Sequence, residues 1–276
     1  MNFTPAGILS DRQIKELCIP PTFIVRERVA SQSAMRDFAT AVFHMPTEQE
    51  YPTWKTEDEL VNMRQSTGPD TIGISGWRKP TEEDLVKYFK PMITPFEPQQ
   101  VRERRAYVGE GRFDNPMYRN EKIVSYGLSS AGYDVRLARK FKIFTNIRSV
   151  MIDPLNMSDE CYVNHEGDYV IIPPHSYILG HTPEVFDVPR DVMVVCVGKS
   201  TYARAGCAVN VTPIEPGFKG QVVIEIANQT PLPMKVYADM GIAQFLFFKM
   251  SEPCETSYGD RGGKYQNQTG ITTARV

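Results

Sequence analysis

From Ile123 onward, short runs rich in Val, Ile, Tyr and Phe alternate with turn residues. The runs are Tyr133 to Phe144, Tyr169 to Ile172, Tyr177 to Leu179, Val192 to Val197, Ala208 to Ile214, Gln221 to Ala227, Met234 to Tyr237 and Ile242 to Phe248. Gly180, Pro189, Gly198, Pro216-Gly217, Gly220, Pro231 and Gly241 punctuate them, and such regular spacing predicts an all-β sandwich or barrel. Upstream the pattern differs. Ser10-Asp11-Arg12-Gln13 has the form of a capping box, and Ile14 and Leu17 share a face, which predicts a short helix to about Cys18. Ile19 to Lys90 is polar and proline-punctuated, with helix-like pieces at Glu57 to Gln65 and Thr81 to Phe89. Pro91 to about Lys122 reads as loop-rich, its Arg102, Arg104, Arg105, Arg112 and Arg119 forming a solvated face or attracting phosphate. Tyr258 to Gly270 is glycine-rich and predicts a mobile arm able to order over a ligand.

A chain of 276 residues buries a full core in one or two domains. Its net charge of −2 gives no support for nucleic-acid binding through bulk positive charge. Met1 to Ser10 lacks a signal-peptide pattern, and the longest apolar run, Val192 to Val197, is too short to span a bilayer, so a cytoplasmic location is the expectation. The five cysteines contain no CxxC pair and read as reduced, mostly buried thiols. The four histidines, His44, His165, His175 and His181, fall in no HxE or HExxH arrangement, so no zinc site is expected.

Candidate chemistry centres on Gly198-Lys199-Ser200-Thr201-Tyr202-Ala203-Arg204 and on Glu225, the acid inside Val222-Val223-Ile224-Glu225-Ile226. An ionisable carboxylate on a buried strand loses stability unless a partner or a reaction accounts for it, and Arg204 and Ser200 are candidate partners. Taken alone, Glu225 is equally an outward residue of an edge strand or half of a structural ion pair. Ser200 is equally an ordinary helix N-cap, although a helix starting there also offers amides to a phosphate. Gly262-Gly263-Lys264 lacks P-loop spacing but combines flexible backbone with an ammonium.

Together these segments carry a resemblance. Ser129 to Arg136, Gly198 to Gly206, Asn210 to Phe218, Glu225 and the Arg261 to Gly270 tail resemble the ordered motifs of the dCTP deaminase family, a branch of the trimeric dUTPase superfamily. The likeness runs almost continuously from Ile123 to Val276, and Ile8 to Leu17 with Ile93 to Arg102 resemble the family's opening segments. It implies a mainly β, distorted dUTPase-like β-barrel or jelly-roll with a few helices and an α-rich insertion. The implied divisions are an N-terminal helix in 1–18, the insertion in 19–92, a β domain in 93–256 and a C-terminal arm in 257–276 that closes over the nucleotide. Phe38, Phe43, Trp54, Trp77, Tyr88 and Phe89 offer the insertion a small core.

The resemblance further implies a homotrimer with nucleotide sites between subunits, inactive as a monomer, that converts dCTP to dUTP and ammonia for thymidylate synthesis. Glu225, Arg204 and Ser200 match the catalytic residues, with Glu225 activating water without zinc. Lys199, Ser200, Thr212, Pro213, Ile214, Glu215, Phe218, Tyr258, Lys264 and Gln268 match substrate-binding positions. Magnesium is implied on the triphosphate, through water and Asp134, and dTTP is implied as a feedback inhibitor; neither nucleic acid nor membrane is expected as a partner. One departure bears on the product: the dUTPase relatives carry an aspartate where Glu215 stands, and it activates water at the α-phosphate and meets the sugar 3′-hydroxyl. An extra methylene displaces such a base, which favours dUTP as the product; a bifunctional enzyme giving dUMP and pyrophosphate, and a silent nucleotide-binding trimer, are the alternatives.

Overall fold

Ser10 and Gln13 exchange hydrogen bonds at the first helix start, Ser10 N donating to Gln13 Oε1 (3.0 Å) and Gln13 N to Ser10 Oγ (3.4 Å). This reciprocal cap is the predicted one. It opens α1 (Asp11–Cys18), which buries Ile14 and Cys18 against the β core. The computed structural model describes residues 7–18, 25–26, 77–78, 90–110, 116–147 and 150–275. The chain divides into two compact units, Met1–Cys18 with Met92–Val276, and Ile19–Pro91. In the second unit an antiparallel ladder pairs β2 (Val25–Arg26) with β3 (Trp77–Arg78). The helical pieces expected at 57–65 and 81–89 lie outside the described residues, as do the side chains expected to form the insertion's core.

The first unit is mainly β. One sheet runs β1 (Gly7–Ile8), β16 (Gly241–Lys249), β7 (Gly132–Arg136), β6 (Pro116–Ser129) and β5 (Gln100–Glu110), with β12 (Val192–Gly198) also paired to β16. The other runs β13 (Cys207–Asn210), β14 (Lys219–Asn228), β11 (Tyr177–Asp187), β8 (Lys140–Phe144) and β9 (Tyr162–Glu166), with β4 (Ile93–Thr94) on β11. A two-stranded ladder joins β10 (Tyr169–Ile172) to β15 (Met234–Tyr237). The two larger sheets share one core, as the rings of Phe186 on β11 and Phe245 on β16 meet at 5.2 Å. Both are fully buried, with Tyr133, Phe141, Ile178, Ile224 and Phe247. Burial of this many large apolar side chains is the main favourable term of the fold.

Three expectations are corrected. The stretch read as loop, Pro91 to Lys122, contains the long β5–β6 hairpin, paired from Gln100↔Gly127 to Glu110↔Pro116. Its outer part is exposed on both faces, so no apolar–polar alternation announces it. Cross-strand pairs hold it instead: Arg104 with Glu121, Arg105 over the Tyr118 ring at 4.2 Å, and Tyr107 edge-on to Tyr118. Second, Tyr133 to Phe144 is two strands, β7 and β8, in different sheets. Third, the run Ala208 to Ile214 leaves the ladder after Asn210, and Ile214 returns as an isolated bridge to Val194.

The extension of β11 beyond Leu179 accommodates a register shift between His181 and Val185, where Thr182 Oγ1 donates to Glu184 O and accepts from Val222 N. The Glu184 carboxylate is wholly buried and takes Arg136 Nε at 2.7 Å. Burial pushes its pKa up, and the guanidinium opposes that shift. Replacing Glu184 by Ala leaves Arg136 without its counter-ion and is expected to cost about 3 kcal/mol of stability, read as a lower urea midpoint.

Candidate active site

Strand β14 separates two environments by simple alternation. Val222, Ile224 and Ile226 enter the core, whereas Gln221, Val223, Glu225 and Ala227 fall on the half-buried face. Directly paired residues share a face, so Glu225 lies between Leu179 of β11 and Asn210 of β13. Tyr177, opposite Ala227, stacks on Phe144 at 4.8 Å, and its hydroxyl is 3.0 Å from that of Tyr162. An aromatic wall therefore stands along the face that carries Glu225. Burial pushes the Glu225 pKa up to about 7, with its own backbone amide pulling the other way. Its charge helps raise the pKa of the Cys196 thiol, itself pushed to about 12 mainly by burial.

The Gly198 to Arg204 motif turns from β12 into α2 (Ser200–Ala203). Lys199, not Ser200, occupies the N-cap position, in extended backbone (φ −75°, ψ 134°) and with no side-chain cap. Tyr202 anchors the turn: it is buried, and its hydroxyl accepts from Tyr237 N at 3.3 Å. Ser200 and Arg204 are exposed. Among the described residues no hydrogen bond or ion pair links either of them to Glu225 within the chain.

Lys199 turns inward. Its ammonium pairs with Asp134, whose Oδ2 also accepts from Gln100 Nε2 at 3.1 Å. The partners are strongly buried, with side-chain exposures of 12% and 3%. The two residues lie far apart in sequence, and β16 joins them by pairing with β7 through Asp134↔Gln244 and with β12 through Val197↔Gln244. A carboxylate already neutralised by an ammonium does not fit a divalent cation, so Asp134 is poorly suited to the magnesium role the resemblance implies. No group of three or more His, Cys, Asp or Glu able to hold a metal occurs among the described residues.

The segment implied to meet base and sugar is partly built into the core. Thr212 and Pro213 are exposed, but Ile214 is buried and both of its backbone groups bond to Val194. Phe218, one of the implied substrate-binding positions, is buried too, with its ring 5.8 Å from that of Tyr258. Phe218 N donates to Glu215 O at 3.1 Å and closes a turn in which Gly217 takes φ +80°. Only glycine adopts that conformation without strain, and a Cβ there would meet Ser257 Cβ at 2.6 Å.

The tail read as a mobile arm is laid in turns along this segment. Tyr258 N donates to Pro216 O, Asn267 N to Lys219 O and Gln221 N to Gln268 O. Gln268 Nε2 returns a bond to Gln221 O at 2.7 Å, and Tyr265 N donates to the Tyr258 hydroxyl at 3.0 Å. Lys264 Nζ donates to Arg275 O at 2.7 Å. Glu215 pairs with Arg261, a contact that sequence spacing gave no reason to expect. The chain thus gathers Glu215, Phe218, Tyr258 and Gln268 into one neighbourhood. Lys199 with Asp134 forms a second group and Glu225 a third.

Known proteins are similar to this chain over most of its β unit. A family model described as dCTP deaminase-like matches residues 84–250. A dCTP deaminase from Teredinibacter turnerae is 55% identical over 185 residues, 67% of this chain and 91% of that protein. One from Francisella tularensis subsp. novicida is 55% identical over 181 residues, 66% of this chain and 89% of that protein. Among solved structures, the 2′-deoxycytidine 5′-triphosphate deaminase from Agrobacterium tumefaciens is 17% identical, with a TM-score of 0.37 over 44% of this chain and 40% of that one. By the extent of the family match and the identity of these relatives, the chain belongs to the dCTP deaminase family.

Proposed function

We propose that the protein hydrolyses the C4–N bond of the cytosine of dCTP, giving dUTP and ammonia, with Glu225 as the proton shuttle. The observation that carries this reading is Glu225 itself: a carboxylate on the half-buried sheet face, without a cation of its own chain among the described residues, and with its pKa raised to about 7. A group poised there both accepts and returns a proton near neutral pH. Glu225 takes a proton from water as the oxygen bonds to C4 and passes it to N3, giving a tetrahedral centre. The new hydroxyl's proton then moves through the same carboxylate to the amino group. The C4–N bond breaks, ammonia leaves with that pair of electrons, and C4 becomes a carbonyl.

Ser200 and Arg204 complete the site from a neighbouring subunit of a homotrimer, Ser200 ordering the water or the amine and Arg204 holding the carboxylate. Their exposure, and the lack of an in-chain ion-pair partner for Glu225 among the described residues, support this arrangement. Magnesium enters with the nucleotide, held by phosphate oxygens and water rather than by Asp134. The tail residues Tyr258, Lys264 and Gln268 serve the triphosphate, Lys264 exchanging its bond to Arg275 O for phosphate, whereas the Lys199 ammonium, implied by the resemblance to join them, stays with Asp134. Glu215 faces the sugar. Its carboxylate is engaged by the Arg261 guanidinium, and its extra methylene displaces it from the place an aspartate would take, which favours dUTP over dUMP as the end product. Supply of thymidylate precursors, feedback inhibition by dTTP and a cytoplasmic location belong to the same reading; no helix among the described residues is long and apolar enough to cross a membrane.

Incubation with dCTP and magnesium, resolved by chromatography, is expected to yield dUTP and ammonia in equal amounts without pyrophosphate. Absence of ammonia would sink the deaminase reading, and dUMP with pyrophosphate would establish the bifunctional one. Since the carboxylate must be ionised to accept the water proton, kcat/KM is expected to rise with pH through an apparent pKa no higher than about 7. A neighbouring Arg204 lowers that midpoint, so Arg204→Ala should move it upward in whatever activity remains.

A further inference from the structure

We propose that Arg261 is a positioning residue of the nucleotide site, fixing the Glu215 carboxylate within the clamp formed by the Glu215–Lys219 turn and the Ser257–Gln268 segment. The proposal rests on the reading of Glu215 as the sugar-facing group. Arg261 is delivered by a turn with its own fastenings. Ser257 N donates to Asp260 Oδ2 at 2.9 Å, Asp260 N to Ser257 Oγ at 3.3 Å, and Arg261 N to Ser257 O at 3.2 Å. Arg190 Nη1 lies 2.8 Å from Asp260 Oδ2 and ties the turn back to the end of β11's following loop. These bonds to Ser257 and Arg190 hold the Asp260 pKa below the usual carboxylate range, so the turn keeps its charge at working pH.

On the other side, Gln266 bonds the Glu215 turn twice: its Nε2 donates to Gly217 O (3.0 Å) and its Oε1 accepts from Lys219 N (3.0 Å). The backbone of the turn is thereby held by Gln266, Tyr258 and Asn267 without help from Arg261. What Arg261 adds is the placement of one carboxylate. A glutamate has three rotatable side-chain bonds, and an ion pair to a guanidinium removes part of that freedom before substrate arrives. The pair is half exposed, with side chains 53% and 41% accessible, so solvent screens it and its contribution is modest.

The test uses the full-length protein with Arg261→Gln, Arg261→Lys, Glu215→Gln and the Arg261→Gln/Glu215→Gln double variant. Arg261→Gln is expected to raise the KM for dCTP about fivefold, the scale of an exposed charged pair, while kcat stays within about twofold. Arg261→Lys should recover most of the loss. In the Glu215→Gln background, Arg261→Gln should have no further effect, because the two act through one contact. Additive effects, a loss confined to kcat, or an unchanged KM would overturn the proposal. Equilibrium binding of dCTP, followed by calorimetry in the Glu225→Gln background, supplies a readout that needs no turnover. Weaker binding in each single variant, and no further loss in the double, supports the coupling, and unchanged binding defeats it. Hydrogen exchange at the amides of Gly217, Phe218 and Lys219 should stay as in the wild type, because Gln266, Tyr258 and Asn267 hold the turn, and faster exchange there would make the role of Arg261 structural. A wild-type protein that releases no ammonia from dCTP would defeat the functional reading instead, leaving the binding data to decide the role of Arg261.

Discussion

Glu225→Gln is expected to lower kcat for dCTP deamination by about a thousandfold while dCTP still binds. The amide keeps the shape and the half-buried position on β14, so the substitution removes proton transfer and little else. General acid–base catalysis contributes about 10² to 10⁴ in rate, and in the proposed mechanism one carboxylate serves two successive transfers, which places the expected loss in the upper part of that range. Single-turnover assays with excess enzyme separate the chemical step from binding. The fold tolerates the change because Val222, Ile224 and Ile226, which pack the core, lie on the opposite side of the strand. Full deaminase activity in this variant would refute the shuttle.

The second large effect is a recovery. Glu225→Gln and Arg204→Ala should each be nearly inactive alone, yet co-expressed in equal amounts they should regain up to about a quarter of wild-type activity. In a randomly mixed cyclic trimer, a site that takes Glu225 from one subunit and Arg204 from the next is intact when both contributors carry the right residue, a chance of about one half times one half. A site drawing both residues from a single chain is never repaired by mixing. The geometry of one chain motivates the experiment: Arg204 is exposed on its short helical turn, and the Glu225 carboxylate has no cation beside it among the described residues. Recovery near zero would mean that the catalytic groups meet within a subunit after rearrangement.

Local signals in the sequence translated well where one residue's environment is set by its near neighbours. The Ser10–Gln13 cap formed as read, and β10 and β15 have the predicted ends, since each is a short run bounded by turn residues. The β5–β6 hairpin escaped because a ribbon with both faces in water has no reason to alternate. The Lys199–Asp134 pair escaped for a different reason: it depends on which strand lies between β7 and β12. Neither charge pattern nor spacing encodes that neighbour. The tail's fastenings escaped because its glycines register as freedom, whereas its backbone amides and glutamines find acceptors along β14 and the Glu215 turn. Composition measures the entropy a segment has to lose, and the contacts that offset the loss come from residues far away in sequence.

The alternation along β14 has a consequence for how such an enzyme is modified. Positions 222, 224 and 226 answer to packing, where a lost methylene is felt throughout the core. Positions 223 and 227 share Glu225's face and are largely released from that constraint, whereas the Gln221 side chain on the same face bonds Pro183 O and Gly270 N. On the proposed mechanism, folding and chemistry fall to alternate residues of a single strand, and a library varying Val223 and Ala227 can reshape the surroundings of Glu225 at little risk to the scaffold.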